Sequence, residues 1–192
     1  MDGFWEGYKS TSQFHYFPHS MSRLFEYFPC FCPAFDTQKS TNMYNREYTP
    51  ERITDLKPNE IFVFGSNLAG SHGGGAARVA YNRFGAVWGQ GVGLQGQSYA
   101  IPTMQGGVET IKPYVDEFIA FAEQHPEYKF LVTRIGCGIA GFTDEEIAPL
   151  FEHAMDVENI ILPEEFAGVV NENFEKFARS FDFFADRNAE QG

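Results

Sequence analysis

From Tyr48 onward the chain switches repeatedly between a strand-like and a helix-like spacing of apolar positions. Glu60 to Phe64 is a short apolar run rich in β-branched and aromatic residues, and it follows the turn signal Lys57-Pro58-Asn59, so it predicts a buried strand. Gly75 to Phe84 puts Ala76, Ala77, Val79, Ala80 and Phe84 on one helical face, with Gly85 as the stop. Ser98 to Pro102 predicts the next strand. Val108 to Gln124 predicts a helix with Ile111, Val115, Phe118, Ile119 and Ala122 in one stripe, closed by His125-Pro126. Phe130 to Ile135 predicts a strand and Asp144 to Ala154 a helix. Thr143 stands three residues before Glu146, the spacing of a capping box, and specifies that helix's start. Asn159 to Leu162 predicts a last strand ended by Pro163. Asn171 to Asp186 carries Phe174, Phe177, Ala178 and Phe181 at helical spacing among acids, which predicts a terminal helix laid on the surface of the domain. Strands alternating with helices specify an α/β fold: three α-β-α layers around a mixed, largely parallel sheet.

The first forty-odd residues follow neither period. Phe4, Trp5, Tyr8, Phe14, Tyr16, Phe17, Phe25, Tyr27, Phe28, Phe31 and Phe35 crowd a stretch that also holds Pro18, Pro29 and Pro33. Ser22 to Phe28 suits one short helix, and Met21 and Met43 are candidates for an alternative start. The segment is either a plain tail or an aromatic patch for a protein partner or self-association. The expected organisation is an aromatic N-terminal extension at 1–45, a domain at 46–168, and a C-terminal helix with an acidic tail at 169–192.

A chain of 192 residues suits one domain with a sizeable core. Its formal charge of −12 argues against nucleic acid and against an anionic membrane surface as partners. A small anion remains compatible, because backbone N–H groups hold phosphate without lysine. Cys30, Cys32 and Cys137 make no disulfide framework, and no Cys/His or acidic set has metal spacing, so neither metal nor cofactor is expected. No signal peptide or apolar span is legible, which makes the cytoplasm the expected compartment.

Ligands in such sheets sit outside the carboxyl ends of the strands, and two glycine-rich loops fall there. The first joins Phe64 to Gly75. The second, Gly136-Cys137-Gly138-Ile139-Ala140-Gly141-Phe142, joins Ile135 to Asp144. Each brings unpaired N–H donors and a positive helix end to one crevice, where facing loops clamp a diphosphate. A Walker A loop is excluded, since no glycine is followed by Lys. Gly91-Val92-Gly93-Leu94-Gln95-Gly96 has the dinucleotide-binding spacing but precedes a strand instead of opening a helix. Cys137 has glycines adjacent to it, whereas a nucleophile elbow needs them two residues to either side, where Ile135 stands, so it reads as a buried structural thiol. His72 either reaches a phosphate or ribose hydroxyl or faces solvent, and Asn67 either binds a ligand hydroxyl or makes an Asx-turn. His125 and His153 read as helix-end and surface residues.

Taken together, these residues resemble a macro domain, the fold that binds ADP-ribose, over Glu60 to Pro163. "VFGSNLAGSHGGGAARVAYNRFGA" is similar to the first macro signature, "SYAIPT" to the next core strand, and "TRIGCGIAGF" to the diphosphate-wrapping loop. The Arg-Ile-Gly-Cys-Gly start most resembles the branch containing terminal ADP-ribose glycohydrolase and yeast-type ADP-ribose-1″-phosphate phosphatases. The Gly-Ser-Asn-Leu-Ala-Gly form is similar to bacterial and phage proteins of macro-like type. The resemblance implies a small nucleotide ligand such as ADP-ribose. Gly138 and Gly141 would donate N–H groups to its diphosphate, Gly73, Gly74 and Gly75 would pack opposite, and Phe142 would meet a ribose. Gly65, Ser66, Gly136, Cys137, Ile139 and Ala140 complete the expected ligand-binding set. If there is a reaction, it is hydrolysis of a phosphate or ADP-ribosyl ester, with Asn67 or His72 positioning water. The alternative is a non-catalytic nucleotide-sensing or protein-interaction module. The chain departs from the branch at Ala140, where the glycohydrolases carry Asp, and at Met104, where they carry a nucleophilic Lys; that covalent route is not expected here. Phe64-Gly65-Ser66 also offers no counterpart to the usual adenine-binding Asp.

Overall fold

The computed structural model of the chain describes residues 46–189, so the expected aromatic extension at 1–45 and its partner surface lie outside the described residues. Along the chain come β1 (Glu60–Ser66), α1 (Gly75–Arg83), β2 (Gly93–Gln95), β3 (Ser98–Pro102), α2 (Val108–Gln124), β4 (Lys129–Val132) and α3 (Asp144–Ile147). Two 3-10 turns (Ala148–Phe151 and His153–Asp156), β5 (Ile160–Ile161) and α4 (Glu164–Ala189) complete the order. The strands form one five-stranded sheet in the order β2-β3-β1-β4-β5. β1 is parallel to β3 and β4, β4 is parallel to β5, and only β2 runs antiparallel, so this is an α/β fold with a mixed, largely parallel sheet.

The pleat of β1 divides the core. Ile61 and Val63 join Tyr99, Ile101, Phe130 and Val132 beneath α2 and the start of α4, where Ile111, Val115, Phe118, Phe166 and Val170 are buried. Phe62 and Phe64 point the other way, with Ala100, onto Ala77 and Ala80 of α1 and onto Phe84 at its end. Helices therefore cover both faces, as parallel pairing requires. At the outer edge Thr49 donates its N–H to the Leu162 carbonyl at 2.9 Å and its hydroxyl to the Ile161 carbonyl at 2.7 Å, blunting β5.

Four boundaries differ from the sequence pattern by more than one residue, each for a local reason. β1 runs on through Gly65 and Ser66, which pair with Ile101 and Pro102. β4 stops at Val132 because the Ile135 N–H turns back to the Thr133 carbonyl at 2.7 Å. The expected helix to Ala154 breaks after Ile147 into 3-10 turns, since Pro149 has no N–H to give to the preceding turn. α4 begins directly after Pro163 rather than at Asn171, and its first turns bury Phe166, Ala167 and Val170 in the core, while residues 171–177 are partly or fully exposed. β2 was not expected. It forms a hairpin with β3 about the two-residue turn Gly96-Gln97, where Gly96 has φ 58° and a Cβ would stand 2.9 Å from Gly85 Cα. Among the described residues no helix is long and apolar enough to cross a membrane.

Phe118 is fully buried between Tyr99 and Phe130, with ring centroids 5.1 and 5.5 Å away. Phe118→Ala is expected to cost about 3–5 kcal/mol of unfolding free energy, read as a lowered urea midpoint. A loss under about 1 kcal/mol would show that the core does not depend on this ring.

Candidate functional site

β1 hydrogen-bonds to β3 on one edge and β4 on the other, but the chain leaves these strands toward opposite faces. The loop after β1 climbs to α1, whereas those after β3 and β4 lead to α2 and α3 on the opposite side. A crevice must open where neighbouring loops diverge. Its floor is the end of β1: a Cβ on Gly65 would stand 3.2 Å from Thr103 Oγ1 and 3.4 Å from the Gly136 nitrogen. Ser66 is buried there, and its carbonyl accepts the Thr103 N–H at 2.9 Å.

The first loop is braced from within. The Asn67 side chain accepts from the Ser71 N–H and donates to the Ser71 carbonyl, both at 3.0 Å, so its amide acts as an extra peptide group across the turn. His72 is fully buried. Its Nε2 lies 3.0 Å from the Val87 carbonyl and 3.1 Å from that of Gln90, which assigns the ring hydrogen to Nε2, while Nδ1 has no partner among the described residues. Neither the ligand-facing nor the solvent-facing expectation for His72 matches this position. The ring instead ties the first loop to Val87–Gly91. Backbone contacts tighten that tie. Gly89 donates to the Gly70 carbonyl at 3.0 Å, and a Cβ on Gly70 or Gly91 would fall 2.3 Å from the Gln90 nitrogen or 2.1 Å from the Asn67 oxygen.

The second loop closes on itself. Phe142 donates to the Gly136 carbonyl at 3.0 Å and Gly141 to that of Gly138 at 3.1 Å, while Gly136 and Gly141 take φ values of 76° and 82°. The N–H groups of Gly138, Ile139 and Ala140 reach no backbone carbonyl among the described residues. Arg134 fastens the loop's ends together: its Nε donates to Asp144 Oδ1 at 3.1 Å, Nη2 to Asp144 Oδ2, and Nη1 lies 3.4 Å from Glu165 Oε1. Cys137 turns its Sγ toward the Ile135 carbonyl at 3.5 Å; burial first, and then the Asp144 carboxylate, push its thiol up to about 12. That suits a structural thiol and not a nucleophile.

The loops meet through Ile139, which is 72% exposed: its Cδ1 would lie 2.9 Å from a Cβ on Gly74 and 3.6 Å from one on Gly75. Their helix ends are unequal. The start of α1 has Gly74 as N-cap, no side-chain cap and no acid in its first turn. The short α3 is closed by its own capping box, Thr143 donating to Glu146 Oε2 at 2.9 Å, and carries Asp144, Glu145 and Glu146. The expectation of two matching positive helix ends therefore holds for α1 alone. Sequence reasoning also missed a signal that supports this difference: no Asp, Glu or Lys occurs from Ile61 to Val108, where Arg78 and Arg83 are the only charges. In a chain of net charge −12, the first loop lies in an acid-free zone of the sequence. A hollow of about 350 Å³ lined by Thr54, Asp55, Arg83 and Gln97 lies at the amino end of the sheet, but Arg83 and Gln97 are already bonded to the Thr54 and Lys57 carbonyls. Among the described residues no His, Cys, Asp and Glu group is arranged to hold a metal ion.

His72→Ala is expected to destabilise the fold by about 1–3 kcal/mol, because a fully buried ring and its hydrogen bonds to the Val87 and Gln90 carbonyls are lost; an unchanged thermal midpoint would refute the tie. At pH 8, peptide mapping should find Cys137 alkylated about a thousandfold more slowly than a thiol at the ordinary value of 9.0, the difference implied by a folded value of about 12. Because the folded value is the higher one, the Cys137 contribution to stability is complete below pH 9 and is lost as pH rises toward 12. Comparison with protein-family models, curated proteins and solved structures returned no match.

Proposed function

We propose that the crevice binds ADP-ribose or a related nucleotide, its diphosphate held between the start of α1 and the Gly138–Ala140 edge of the second loop. One observation carries this reading. Gly73 and Gly138, one in each loop, have no left-handed φ, and a Cβ on either would meet nothing within 4 Å. The fold itself gives no reason for glycine at these two positions. A ligand approaching the backbone gives one, because a Cβ there would hold phosphate away from the N–H groups. The open end of α1 and the acid-free zone give the ligand's sign.

Binding without turnover is favoured over hydrolysis. The groups that would position or activate water are already engaged: Asn67 with Ser71, His72 with Val87 and Gln90, and Cys137 as a protonated thiol. This supports a nucleotide-sensing module, with binding energy coming from backbone donors that need no rearrangement.

Calorimetric titration with ADP-ribose is expected to give micromolar affinity, about 8 kcal/mol, and to return the ligand intact on chromatography. Gly138→Ala and Gly73→Ala should keep the thermal midpoint and weaken binding at least about tenfold, or ~1.4 kcal/mol. Gly136→Ala should instead destabilise the fold by about 1–2 kcal/mol, since Gly136 has φ 76° and Ile147 Cδ1 would lie 3.1 Å from the added carbon. Undiminished affinity in Gly138→Ala, or no heat with millimolar ligand, would refute the cradle. A hydrolysed ligand would restore the enzyme reading.

A further inference from the structure

Trp88 lies on the loop after α1 and is 55% exposed. Its indole meets Tyr81 edge-on at a centroid separation of 5.8 Å and the buried His72 ring at 6.4 Å. The indole is presented by a rigid mount. His72 grips the carbonyls on both sides of it, at Val87 and Gln90, and the Gln95 side chain accepts the Val87 N–H and donates to the Gln90 carbonyl at 3.1 Å. The same ring that anchors the first glycine loop thus fixes the position of an exposed aromatic wall beside it.

We propose that Trp88, backed by Tyr81, is a stacking wall for the planar ring of a nucleotide whose phosphates occupy the glycine cradle. The proposal rests on the binding reading of that cradle and adds the group that recognises the rest of the ligand. Reach supports it. Tyr81 lies six residues beyond Gly75 on α1, ~9 Å along the helix axis at 1.5 Å per residue, and Trp88 touches the histidine that immediately precedes Gly73. A ring one nucleoside away from phosphates at the start of α1 spans that distance. The surroundings suit the same ligand. The wall lies in the acid-free zone, so no carboxylate of this stretch repels the phosphates, and the exposed Arg78 stands one turn before Tyr81 on α1. An indole face accepts any base by stacking, which fits a chain whose Phe64-Gly65-Ser66 segment has no acid to read one base by hydrogen bonding.

The chain has two tryptophans, so a Trp5→Phe background leaves Trp88 as the sole indole reporter. Full-length protein in this background is titrated with ADP and, separately, with inorganic pyrophosphate. ADP is expected to quench Trp88 emission and to bind about tenfold or more tightly than pyrophosphate, the difference being the stacked ring. In calorimetry, Trp88→Leu, which keeps apolar bulk without an aromatic face, should remove that difference and leave pyrophosphate affinity within twofold; Trp88→Phe should restore most of it. Equal affinity for ADP and pyrophosphate in the parent protein overturns the wall and leaves the cradle standing. Equal weakening of both ligands by Trp88→Leu also overturns it, by showing that Trp88 only shapes the loop. Binding of neither ligand removes the cradle, and the wall with it.

Discussion

Everything at the carboxyl edge depends on β1 being hydrogen-bonded along both of its edges while the chain leaves it and its neighbours toward opposite faces. The pairing fixes Ser66 beside Pro102 and brings Gly65 next to Gly136. The divergence sends α1 to one side of the sheet and α2 and α3 to the other, so the loops after β1 and β4 part around the space above Gly65. Lined by glycines, that space exposes peptide groups where most loops would expose side chains. The core serves the same geometry: Phe62 and Phe64 seat α1 so that its N-terminus faces the gap, and Ile147 and Phe151 seat the opposite side.

Charge is segregated along the chain in a way that composition alone conceals. The acids cluster outside Ile61–Val108, and of the three that follow the second loop Asp144 pairs with Arg134 and Glu146 closes the capping box of α3. In the proposed binding reading, attraction for an anion would rest on the first loop and α1 more than on the second loop, which would contribute the N–H groups of Gly138, Ile139 and Ala140. An acidic protein holding an anion needs such a division, because the overall field opposes the ligand's approach.

Where one physical signal dominated, the sequence was readable. β3 and α2 lie where pattern and punctuation put them, and the capping box at Thr143 formed as its spacing required. Elements that depended on tertiary partners were not readable. β2 has three residues with no period to detect and exists through its pairing with β3. The helix after Thr143 carried an apolar pattern to Ala154, but Pro149 decided its length. At the candidate site, the glycines were legible as a class and the roles of Asn67 and His72 were not. Both are polar residues in a glycine-rich loop, a pattern shared by ligand contacts and loop braces, and only the partners Ser71, Val87 and Gln90 separate the two.

That distinction bears on how such a site works. A loop made of glycine has high conformational entropy, and a cradle that is not held in shape gives up that entropy on binding. Here the side chains that look reactive are the ones holding it: Asn67 closes the turn, His72 anchors the loop to its neighbour, and Arg134 with Asp144 fastens the second loop at its ends. Freeing any of them for chemistry would loosen the donors that they support. Preorganised backbone and available catalytic side chains thus compete for the same few residues, and the hydrogen bonds at this crevice are committed to preorganisation.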